Sequence, residues 1–197
     1  SMSFHLIVPG HGIASRTAEL LNSVTSVRES IIHSPLLFAC TVYVYSPVDI
    51  SHLPCKIVRM QGKWVHFMSH VRTHATYVAV LMDDVSVPPH SALKLIRHMQ
   101  SASLDIISPS FQNWAHPAMR PTYASHYRGR PRYRNSCCVK ETGYVDVLFT
   151  IFRSRAWQCW QKLLDPVRNP DGWGTDIVVA RECNASVGVS DFERARH

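Results

Sequence analysis

Apolar runs of strand length alternate with segments of helical spacing along the first half of the chain. Residues 4–8 are apolar and end at the turn Pro9-Gly10-His11-Gly12, which predicts a buried strand. Residues 14–32 follow with Ala18, Leu21, Val24, Val27 and Ile31 at helical spacing. Residues 36–45 and 57–60 predict two more strands, the first ending at Ser46-Pro47, and residues 63–73 can form a helix. The strand expected over 77–82 runs directly into Asp83-Asp84. A turn at Pro88-Pro89 then leads to a helix through Gln100, with Leu93, Ile96 and Met99 on one face, and a strand over 104–107. This alternation predicts an α/β domain with a mostly parallel central sheet flanked by helices.

The second half is less regular. Residues 108–135 are rich in Pro, Tyr, Arg and Gly, which predicts a long active-site loop. A strand over 144–152, a helix over 154–164, a helix over 176–183 and a last strand over 187–189 are expected, then a polar tail. No internal repeat or linker interrupts the chain, so one domain over 1–197 is expected.

Composition narrows the class. The 197 residues are 46% hydrophobic and 18% charged, which argues against a disordered tail or a membrane protein. The longest apolar runs, 77–82 and 145–152, fall far short of the roughly 20 residues a spanning helix needs. Residues 4–8 lack the flanks of a signal peptide, so a cytoplasmic location is expected. Cys40, Cys55, Cys137, Cys138, Cys159 and Cys183 form no Cys-x-x-Cys pair and are expected to be reduced thiols. The net charge of +7 favours polyanionic or phosphate-bearing partners without choosing among them.

Two stretches carry chemistry. Asp83 and Asp84 at the end of an apolar strand are hard oxygen donors that suit Mg²⁺ or Mn²⁺, and such a cation can bridge the phosphates of a nucleotide diphosphate. The competing reading is that they cap the following turn. In Asn169-Pro-Asp-Gly-Trp-Gly-Thr-Asp176 the glycines allow close backbone approach, Trp173 offers a stacking face, and Asp176 opens a helix. Asp176 is placed to act as a general base toward a hydroxyl, or else to cap its helix.

Five segments then occur in the order and at similar spacing found in a known family: Lys63-Trp64, Met82-Asp83-Asp84-Val85, Ile107-Ser108-Pro109, Gly172-Trp173-Gly174-Thr175-Asp176, and Gly188-Val189-Ser190-Asp191 with His197. Over roughly residues 63–197 the chain resembles GT-A glycosyltransferases, especially the small chlorella-virus enzymes and a plant family with Trp-Asp-Glu-Asp and Gly-Trp-Gly-x-Asp signatures. Met82 stands where that family has its first acidic residue, which leaves Asp83 in the middle and Asp84 as the metal-binding position. The resemblance implies a Rossmann-like GT-A domain, with residues 1–107 binding a nucleotide sugar and 108–197 supplying acceptor and catalytic groups. It implies that Val8, Pro9, Gly10, Ser46, Gly62, Lys63 and Asp83 line the donor pocket. Asp84 and His197 would hold Mn²⁺ or Mg²⁺, and Asp176 would deprotonate a glycan hydroxyl with inversion. The implied donor is a UDP-sugar, UDP-glucose or UDP-rhamnose, and the implied acceptor a glycan, with Trp114, Trp173 and Gly174 as substrate contacts.

Other signals weigh less. His66, His70 and His74 recur every fourth residue, but no acidic or thiol ligand accompanies them, so a solvent-facing helix is expected. Trp157 and Trp160 beside Leu163 and Leu164 form a core stripe. Residues 127–134 interleave Tyr127 and Tyr133 with arginines, and the alternative function is a non-catalytic nucleic-acid- or glycan-binding module using that loop. Contact with donor phosphates or acceptor is preferred, and neither a nucleic-acid partner nor a membrane span is expected.

Overall fold

The computed structural model of the protein describes the backbone of residues 2–112 and 139–196. The elements run β1 (Ser3–His11), α1 (Thr17–Ile32), β2 (Leu37–Val44), β3 (Lys56–Arg59), α2 (Trp64–His70), β4 (Tyr77–Leu81), α3 (Ser91–Ser101), β5 (Ile106–Gln112), β6 (Val139–Glu141), β7 (Phe149–Arg153), α4 (Ser154–Leu163), α5 (Thr175–Glu182) and β8 (Val187–Arg196). The strands form one sheet in the order β3-β2-β1-β4-β7-β5-β8-β6. β1 pairs in parallel with β2 and β4, β2 with β3, and β5 with β8. Strand β7 runs antiparallel between β4 and β5, and β6 runs antiparallel to β8. The domain is thus a mixed α/β sheet flanked by helices.

The central strands are apolar because both faces are covered. Leu6, Ile7 and Val8 of β1 and Val78, Ala79, Val80 and Leu81 of β4 are all fully buried. Helix α1 packs on α3, and α2 meets α4 through stacked Trp64 and Trp160 rings with centroids 6.2 Å apart. Trp157 and Trp160 lie buried against Phe152, as the helical spacing of the apolar stripe required. No helix among the described residues is long and apolar enough to cross a membrane.

Sequence and structure part in four places. Strand β7 begins at Phe149, and the apolar run before it is a turned segment in which Leu148 N–H donates to the Asp146 carbonyl at 2.9 Å. Strand β5 continues through Gln112 instead of giving way to a loop at 108. Its buried Ser108 is satisfied by donating to the Phe149 carbonyl at 3.0 Å, so a polar residue sits in the sheet at little cost. The polar tail after 189 is the far half of β8, which pairs with β5 past an irregularity at Pro109 and Ser110. Helix α2 stops at His70, leaving His74 outside it.

The expectation of reduced thiols is corrected for four cysteines. Cys40 is bonded to Cys55, and Cys159 to Cys183, with Cα–Cα distances of 4.6 and 5.8 Å. Scattered spacing hid these pairs because folding brings together residues 15 and 24 positions apart, β2 with the segment before β3 in one case and α4 with the end of α5 in the other. Cys137 and Cys138 lie outside the described residues.

Candidate active site

The order β2-β1-β4 has a consequence for ligand binding. The chain leaves β1 toward β2 on one side, and β4 lies on the other, so the strand order reverses direction at β1. Open α/β sheets bind ligands at such a switch of direction. The turn after β1 and the pair Asp83-Asp84 after β4 meet here.

Asp83 is buried and uses both carboxylate oxygens within the protein. Oδ2 is 2.9 Å from Nδ1 of fully buried His11, and Oδ1 accepts from the Arg16 guanidinium at 3.1 Å. The other ring nitrogen of His11 lies 3.0 Å from the Thr17 hydroxyl, so both imidazole nitrogens are engaged. Asp84 is more open, and its Oδ2 lies 3.0 Å from the same Arg16 nitrogen. Partial burial works against the charge on Arg16, but the hydrogen bond to Asp83 and the charges of Asp84 and Asp83 outweigh it and raise its pKa.

This geometry distinguishes the two acids as metal ligands. Magnesium-like cations accept one or two carboxylates and complete their shell with substrate phosphates and water. Asp84, partly exposed at a strand end, fits that demand as a single anchor, whereas both oxygens of buried Asp83 are already engaged by His11 and Arg16. No group of three or more His, Cys, Asp or Glu able to hold a metal occurs among the described residues. His197 lies outside them.

The residues expected around a donor lie at the ends of β1 and β2 and just before α2. Val8 and Pro9 are buried, so they can offer only main chain to a ligand. Gly10 lies in the irregular end of β1, and a side chain there would meet the Phe67 ring at 3.2 Å. The Ser46 hydroxyl donates to the Gly12 carbonyl at 2.6 Å and ties the turns after β1 and β2 together. Gly62 precedes Lys63 with φ +143, and the His66 ring fills the space a side chain would need. The Lys63 ammonium contacts Asp171 at 2.6 Å, a partner sequence reading did not foresee.

Beyond the carboxylate pair lies a cleft of about 180 Å³, lined by Met82 from the end of β4, Asp146 and residues of the Asp171–Asp176 stretch, with Trp64 at its base. The Trp64 indole donates to the Asp171 carbonyl at 3.2 Å. Gly172 has φ +66 and lies directly over the Trp64 ring, so only glycine fits there. Trp173 is 85% exposed while its backbone is held by Asn169 through bonds of 2.9 and 3.1 Å. An exposed indole on a pinned loop is a stacking surface. Gly174, with φ +83, is the N-cap of α5 and faces open space. Asp176 lies in the first turn of α5 and lines the cleft. Its Oδ1 accepts the Ile177 N–H at 3.0 Å, so the carboxylate both supports its helix and faces the cleft. Trp114 and residues 127–134 lie outside the described residues.

Sequence reading missed the neighbours of these groups. The Tyr144 hydroxyl hydrogen-bonds both Asp176 and Asp146; burial first, then the two carboxylate charges, push its pKa up. An acidic residue inside the apolar run 144–152 was the available signal that this run is not one strand. Arg16 left no sequence signal, because an arginine near a helix start is ordinary.

Comparison with known proteins agrees with this architecture. The structure of S. aureus TarS residues 1–349 superposes with a TM-score of 0.64 at 13% identity, covering 99% of this chain and 60% of that one. The same TarS segment in complex with UDP gives 0.56 at 14% identity, covering 100% and 61%, and in complex with UDP-GlcNAc 0.53 at 14%, covering 100% and 59%. The chain therefore spans about three-fifths of these structures. No family model and no curated protein sequence matches it. The chain shares the Rossmann-like α/β fold of these TarS structures.

Proposed function

We propose that the protein is a nucleotide-sugar-dependent glycosyltransferase whose donor lies in the crevice between β1 and β4 and whose acceptor enters the cleft beside Trp173. The observation that carries this reading is the position of Asp83-Asp84 at the end of β4, one residue beyond Met82, which lines the same cleft as Asp176. A charge-binding strand end thus adjoins a carboxylate able to take a proton. The fold shared with TarS, whose structures include complexes with UDP and UDP-GlcNAc, supports a UDP-sugar as donor. The narrower kinship with the chlorella-virus and plant enzymes, and UDP-glucose or UDP-rhamnose as the donor, belong to the same proposal.

In this mechanism the acceptor hydroxyl is oriented against Trp173, and Asp176 removes its proton as the oxygen attacks the anomeric carbon. A sugar hydroxyl is too weak an acid to ionise unaided, so a positioned carboxylate lowers the barrier. Arg16 and Lys63 place positive charge near the leaving diphosphate, where charge grows as the glycosidic bond breaks. A divalent cation on Asp84 would supply further neutralisation of that diphosphate. One displacement from the far side inverts the anomeric centre.

The test is calorimetric titration of UDP into wild type and Asp84→Asn, with Mn²⁺ and with chelator. Metal-enhanced binding that the variant loses is the expected result. Absence of binding by the wild type in both conditions would sink the donor site and favour a non-catalytic binding module.

A further inference from the structure

Arg16 is shared between two carboxylates that are not equivalent. Its Nη1 is 3.1 Å from Asp83 and 3.0 Å from Asp84. Asp83 is locked from its other side by His11, which Thr17 locks in turn, so this half of the arrangement is anchored in the core. Asp84 and Arg16 are both partly open to solvent, with side chains 30% and 38% exposed. Both contacts use one nitrogen, Nη1, of a group that carries five N–H donors in a planar fork matching phosphate oxygens.

Resting on the donor-site reading above, we propose that Arg16 is a ligand of the donor diphosphate, and that the diphosphate takes it from Asp84 while Asp83 keeps hold of it. Three physical terms favour this exchange. The Arg16–Asp84 pair is partly solvated, so breaking it costs little. A diphosphate offers more negative charge and a bidentate fit that a single carboxylate oxygen does not. The buried contact to Asp83 keeps the guanidinium at the crevice, so little ordering remains to be done on binding. Departure of Arg16 withdraws its positive charge from the Asp84 carboxylate as the diphosphate arrives. Cation and donor binding are then coupled through one side chain, and the coupling is reciprocal.

The experiment compares wild type, Arg16→Gln and Arg16→Lys, each checked for folding by circular dichroism. UDP affinity is measured calorimetrically in chelator, and Mn²⁺ affinity without nucleotide by electron paramagnetic resonance. Arg16→Gln is expected to weaken UDP at least tenfold in chelator while tightening Mn²⁺ binding severalfold, because the guanidinium no longer competes with a cation for the Asp84 carboxylate. Arg16→Lys, which keeps the charge for Asp83 but lacks the fork, is expected to fall between. UDP affinity within twofold of wild type, or unchanged Mn²⁺ affinity, in Arg16→Gln would overturn the proposal while wild-type UDP binding leaves the donor site standing. Wild type that binds no UDP in either medium overturns the donor reading and the Arg16 role with it.

Discussion

The Lys63 ammonium lies 2.6 Å from Oδ1 of Asp171, joining the start of α2 to the wall of the cleft across 108 positions of sequence. Both side chains are largely exposed, so the pair acts more as a positional tie than as a source of stability. A double-mutant cycle of Lys63→Ala and Asp171→Ala, read by urea unfolding, is expected to give a coupling below about 1 kcal/mol.

Asp83 and Asp84 are adjacent but should differ in what their removal costs. Asp83→Ala strands buried His11 and loosens Arg16, so a loss of about 2–4 kcal/mol of unfolding free energy is expected from two bonds to a buried, partly charged network. Asp84→Ala should cost less than about 1 kcal/mol, because its partner is solvated. Equal losses in the two variants would refute the division of labour between them.

Gly172 sits over Trp64 with a left-handed φ of +66. Gly172→Ala adds backbone strain and drives a methyl group into an indole stacked on Trp160, so destabilisation above about 2 kcal/mol is expected. Equilibrium unfolding followed by tryptophan fluorescence measures this directly. Trp173→Ala, at an exposed ring, should change stability by less than about 0.5 kcal/mol while impairing acceptor use.

Burial, and then the charges of Asp146 and Asp176, raise the pKa of Tyr144 above the unfolded value near 10. A raised pKa means that the folded state holds this proton more tightly. Its contribution to stability is therefore complete below pH about 10 and is lost as pH climbs above that value. Ultraviolet titration should find one tyrosine ionising later than the rest, and Tyr144→Phe should abolish that late step. A Tyr144 that ionises with the others would contradict its placement between the two acids.

The sequence made the periodic parts of the fold legible. Strands β1, β2 and β4 and helices α1, α3 and α4 follow the apolar runs of the sequence, although the buried faces of α1 and α3 hold Leu20 and Leu95 where the spacing pointed to Leu21 and Leu93. What stayed hidden depends on contacts distant along the chain. Ser108 reads as a loop residue until its bond to Phe149 is seen, and residues after 189 read as a tail until β5 supplies their pairing. The same holds for the site: Asp84 and Asp176 stand out locally, whereas Arg16, Asp146 and Asp171 acquire meaning only from what the sheet brings beside them.

The Cys159–Cys183 bond gives the cleft a topological property. Asp171, Gly172, Trp173, Thr175 and Asp176 all fall within the loop that this bond closes, so the whole wall belongs to a covalent ring. A protease that nicks the ring near exposed Val167 severs the chain without releasing either piece. The nicked protein would migrate as one band without reductant and as two with it, which makes the ring readable on a gel.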